Sequence, residues 1–67
     1  MGELDATRML VKAQRLWARA GRELEAAARE TDRAVSARHA QEARYLLWNA
    51  MDCAHEYYVA TIPEGED

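Results

Sequence analysis

Along the first half of the chain, small and apolar residues recur at Ala6, Leu10, Ala13, Trp17, Ala20, Leu24, Ala27 and Thr31. The steps alternate four and three without a fault, which is the seam of an amphipathic helix in heptad phase. Gly21 falls inside this run, but the phase continues from Trp17 to Leu24, so the pattern predicts one helix containing a glycine. Such a glycine costs about 1 kcal/mol relative to alanine. Asp5 is placed to cap the helix, and Glu3 and Asp5 suit the positive end of its dipole. A second run follows at Ala40, Ala43, Leu47, Ala50, Ala54, Tyr57 and Thr61. Pro63 ends it, because proline disfavours helix at the residue before it. Between the runs, Thr31, Asp32 and Ser36 are all candidate caps for a second helix.

The pattern therefore predicts one all-α domain over residues 1–67: helix 1 over about 5–30, a turn over about 31–35, helix 2 over about 36–61 and an acidic tail at 63–67. Folding the chain back near residue 33 brings the two seams into register. Trp17 then lies near Ala50, Leu24 near Ala43, Leu47 near Ala20 and Leu10 near Tyr57. At three of these four levels a large residue meets an alanine, as interdigitated packing requires, and an antiparallel two-helix hairpin is expected. The reversal contains no glycine or proline, so a single uninterrupted helix in a coiled coil is the competing arrangement.

Composition reinforces the helical reading: there are 14 alanines, one proline and three glycines. A chain of 67 residues makes one domain, and at that size only about 60% of the unfolded surface is buried. The single cysteine, Cys53, excludes an internal disulfide, and no zinc-ligand spacing occurs. A second subunit or another partner is the remaining source of buried surface, so dimerisation into a four-helix bundle is expected. Eight arginines against one lysine point to a GC-rich bacterial or phage genome. The acidic start has no apolar stretch of the signal-peptide kind and no myristoylation motif. No apolar run approaches membrane length, and with a lone thiol a cytoplasmic location is expected.

Two stripes are candidates for function. Beside the alanine seam of helix 2 run Arg44, Trp48, Met51, His55, Tyr58 and Ile62, with Leu46 and Cys53 flanking the opposite edge. Together they widen the apolar arc well beyond the ~100° that one neighbour covers. Either these side chains curl over the hairpin as its core, or they form a protein interface, for which Trp, Tyr, Met and Arg are the enriched types. Met9 and Leu16 on helix 1 are placed to join that interface. The second stripe is basic: Arg8, Lys12, Arg15, Arg19 and Arg22 share one face, with no acid between Asp5 and Glu23. It is either a solvated outer face or a contact surface for an acidic protein or a nucleic acid. Against nucleic acid stand the net charge of −3 and the lack of aromatic residues among the cations.

Asp52 with His55, and His39 with Glu42, share helix faces, but the helix 1 seam as read supplies no inward carboxylate, so no metal site is expected. Cys53 reads as a small buried hydrophobe with no base nearby to activate it. No catalytic triad can be assembled, and no enzyme activity, cofactor or small-molecule substrate is expected.

In length, hairpin layout and acidic tail, the chain resembles the plasmid Rop-type proteins, dimeric two-helix hairpins that bind RNA. It is also similar to the very small helical regulators and inhibitors that phages encode against host proteins. The expected function is that of a homodimeric protein-binding module that modulates, as an inhibitor, a cellular regulatory protein. The alternative is a Rop-like RNA- or DNA-binding hairpin using the basic stripe.

Overall fold

The computed structural model describes residues 3–61. Two helices, α1 (Glu3–Arg29) and α2 (Arg33–Thr61), pack against each other as an antiparallel hairpin. α1 is already helical at Glu3, so Asp5, the expected cap position, lies within its first turn. Ile62, Pro63 and the acidic tail lie outside the described residues.

The reversal is tighter than predicted, with only residues 30–32 between the helices. Asp32 makes it possible. Its Oδ1 accepts hydrogen bonds from the Ala34 N–H (2.9 Å) and the Val35 N–H (3.2 Å), which satisfies two donors that the start of α2 leaves unpaired. The Glu30 carboxylate accepts from the Asp32 N–H at 3.1 Å. Side-chain carboxylates thus replace the glycine or proline that the turn lacks. α2 consequently starts at Arg33, three residues before the expected 36, and Ser36 lies inside it. The Ser36 hydroxyl instead donates across the hairpin to the Ala27 carbonyl at 2.8 Å. That bond occupies one of the free carbonyls at the end of α1.

The buried core consists of Ala6, Ala13, Ala20, Ala43, Leu46, Ala50 and Cys53. The less exposed positions of α1 are Ala6, Met9, Ala13, Leu16, Ala20, Glu23, Ala26 and Ala27. Those of α2 are Val35, Ser36, His39, Ala43, Leu46, Leu47, Ala50, Cys53 and Tyr57. Of the predicted seam alanines, Ala6, Ala13, Ala20, Ala43 and Ala50 are buried. The register is corrected: Ser36 meets Ala27 and His39 meets Glu23, four to five residues from the levels predicted by folding about residue 33, because the turn is centred on residue 31. The other half of each seam is corrected. Leu10, Trp17 and Leu24 are exposed, as are Ala40, Ala54 and Thr61, while Leu47 is only half-buried. Met9 and Leu16 take their places in α1, and Leu46 and Cys53 do so in α2.

The rotation has two physical causes. Facing alanines let the helix axes approach closely, leaving no room between them for the Trp17 ring, whereas Leu16, Leu46 and Cys53 fit. Glu23 marks the favoured edge as polar in the sequence, but in the fold it meets a partner: its Oε2 lies 2.7 Å from His39 Nδ1. Glu23 therefore faces the seam, contrary to expectation.

Gly21 is exposed, and a Cβ added there would meet nothing within 4 Å. Gly21→Ala is therefore expected to stabilise the hairpin by about 1 kcal/mol. Thermal unfolding checks this, and an unchanged or lowered Tm would show that the glycine serves a purpose other than helix geometry.

Candidate interaction surface

A core of five alanines, one leucine and one cysteine stabilises little, because each methyl contributes only about 0.8 kcal/mol where a buried leucine contributes about 1.5–3. The large apolar side chains lie outside. Trp17 is 60% exposed, Trp48 59%, Met51 65% and Tyr58 62%. The molecule measures 51 × 22 × 12 Å, a plank one helix thick. Its radius of gyration is 15.5 Å, against about 11 Å for a compact domain of this length. Its accessible surface of 5557 Å² exceeds that of a compact monomer of this mass by about 1,300 Å².

The exposed apolar residues are not scattered. A groove of about 530 Å³ is lined by Leu24, Ala40, Ala43, Arg44, Leu47, Trp48, Met51 and Asp52. A neighbouring depression of about 320 Å³ is lined by Ala13, Gln14, Trp17, Ala50, Met51 and Ala54. Met51 borders both, so they form one furrow along one flank of the hairpin. Alanines make its floor. Trp17 and Leu24 form the α1 wall, and Leu47, Trp48 and Met51 the α2 wall.

The opposite flank is polar. Glu23, Val35, Arg38, His39 and Glu42 line a small depression there, and the Glu23–His39 contact crosses it at 2.7 Å. The hairpin is therefore two-faced.

Of the predicted interface residues, Arg44, Trp48 and Met51 line the furrow, and all three are exposed. His55 and Tyr58 are exposed further along α2, and Ile62 lies outside the described residues. Met9 and Leu16 do not join this surface: they are half-buried in the helix–helix seam, on the side of the alanines away from Trp17. The residues that pattern reading missed are Trp17, Leu24 and Leu47. It assigned them to the interior of the hairpin, although their place in the hydrophobic rhythm was visible.

Arg8, Lys12, Arg15, Arg19 and Arg22 are all exposed. Among the described residues none of them pairs with a carboxylate; the contacts of that kind there are the Arg29–Glu25 ion pair and the hydrogen bond between His39 and Glu23. By helical phase the stripe lies on the outer and polar side of α1, opposite the Trp17 wall. Cys53 is a free thiol buried in the seam. Among the described residues no three His, Cys, Asp or Glu side chains converge to hold a metal ion, and no helix is long and apolar enough to cross a membrane. No protein-family model, curated protein or solved structure matches the chain.

Proposed function

We propose that this hairpin is a protein–protein interaction module that works through its apolar flank. The observation carrying the reading is the continuous furrow walled by Trp17, Leu24, Leu47, Trp48 and Met51 over an alanine floor. Domains normally bury such a face against a second layer, and a single hairpin has none. The first occupant is a second copy of the chain. Large walls and a small-residue floor on the same surface are what an isologous two-fold contact needs, since each wall can enter the other copy's floor. Two copies each withdrawing their excess of about 1,300 Å² would bury about 2,600 Å² in total, which is in the range of obligate assemblies. The product is a four-helix bundle.

In this reading the assembled bundle binds and modulates a cellular regulatory protein, as an inhibitor, and performs no chemistry of its own. Its exposed outer surfaces, including Trp48 at the furrow edge and Tyr58, are the contact candidates, because aromatic anchors dominate interface energetics. The native mass in solution tests the foundation of the proposal. Light scattering is expected to give twice the chain mass of 7.6 kDa, with a Tm that rises with concentration. A mass of one chain at every concentration would remove the self-association step.

A further inference from the structure

We infer that the outer face of α1 is a docking surface for an acidic helical segment of a partner protein. This surface is independent of the apolar flank. The row from Arg8 to Arg22 holds five of the chain's nine lysines and arginines, and the sequence between Ala6 and Arg22 contains no acid. The net charge is −3, so the rest of the chain carries −8. The charge is therefore strongly segregated within one small molecule.

All five cations are exposed, and among the described residues none is neutralised by a carboxylate. They follow each other at three and four residues over a length of about 21 Å. A helix carrying Asp or Glu at the same three–four rhythm presents carboxylates at matching intervals along its own axis. Val11 is 37% exposed and shares a shallow depression with Arg8, Lys12 and Arg15. A small apolar foothold between cations suits the side of an amphipathic helix.

Two physical facts favour an acidic peptide over a nucleic acid. No aromatic side chain stands among the cations to stack on bases. A long polyanion also extends past the stripe and meets the negative remainder of the molecule. A short acidic segment feels mainly the stripe, because fields are screened within about 8 Å at physiological salt.

The test is fluorescence anisotropy with the full-length protein. The probe is a labelled designed helical peptide with glutamates at alternating three and four spacing. A composition-matched peptide with that spacing scrambled and a short labelled RNA duplex serve as competing ligands. The patterned peptide is expected to bind at low salt and to weaken as salt rises. Arg15→Gln combined with Arg19→Gln should weaken it about tenfold or more, with native mass and helicity unchanged because both side chains are exposed. Arg33→Gln combined with Arg38→Gln on α2 should leave it unaltered. Equal binding of the scrambled peptide, tighter binding of the RNA duplex, or an affinity indifferent to the α1 substitutions would each overturn the inference. So would the absence of any binding at low salt. None of these outcomes bears on the native mass, so failure here is separable from failure of the dimer.

Discussion

Trp17→Glu is expected to convert the proposed dimer to single chains while leaving each chain able to form its hairpin. The side chain is 60% exposed and walls the furrow, so in one copy glutamate replaces mostly solvated apolar surface. In the dimer the same change places two carboxylates in a desolvated contact and removes two indole rings. An aromatic anchor at an interface commonly carries 2 kcal/mol or more, and two-fold symmetry counts it twice. The dissociation constant should rise by about a thousandfold or more, at about 1.4 kcal/mol per tenfold. Sedimentation or light scattering reads the mass, and circular dichroism at high protein concentration reads the helix. Trp48→Glu is the instructive companion. Trp48 sits on the outer edge of the same furrow, so its loss should weaken the dimer less than loss of Trp17. A Trp17→Glu protein that remains dimeric would falsify the assignment of this flank to self-association.

The second large effect is expected inside the seam. Ala20 and Ala43 are both fully buried, at 0% exposure. Ala43→Leu adds three carbons at a position with no exposed surface. Overpacking of this kind costs about 1–3 kcal/mol, which in a domain this small lowers Tm by roughly 5–20 °C. Ala18→Leu is the control. Ala18 is exposed on α1, and alanine and leucine are both strong helix formers, so that change should stay within about 0.5 kcal/mol. If both variants melt alike, the alanines are not the spacer that sets the helix–helix distance.

These two results would together separate what the alanines do from what the large residues do, and that separation is where reading the pattern alone falls short. The four–three alternation from Ala6 to Ala27 admits two seams that share every alanine. One takes Leu10, Trp17 and Leu24; the other takes Met9, Leu16 and Glu23. Hydrophobicity ranks the first higher, and the fold takes the second. The preference depends on the facing helix. Alanine opposite alanine draws the axes together, and His39 arrives opposite Glu23 to satisfy a carboxylate that looked like a surface residue. Likewise, the reversal at residues 30–32 had no glycine to announce it. The Asp32 and Glu30 carboxylates make the turn through hydrogen bonds that exist only once the chain has bent.

The candidate site moved with the seam. Trp48, Met51 and Arg44 were legible as surplus to one hairpin contact, because the apolar arc of helix 2 is too wide for one neighbour to cover. Trp17, Leu24 and Leu47 were not, because a residue in an apolar rhythm is ordinarily assigned to the core.

The helical character of the chain, its two seams and the basic stripe along the first of them could be read from the residues alone. Those features rest on propensity, periodicity and spacing, all of which are local. Which way each helix is rolled about its axis, and which levels of the two meet, came from the packed pair. A roll of about half a heptad step leaves the periodicity intact and exchanges the inside for the outside. Only the distance of closest approach between the two helices tells the seams apart, and that distance is set by the pair of helices and not by either one.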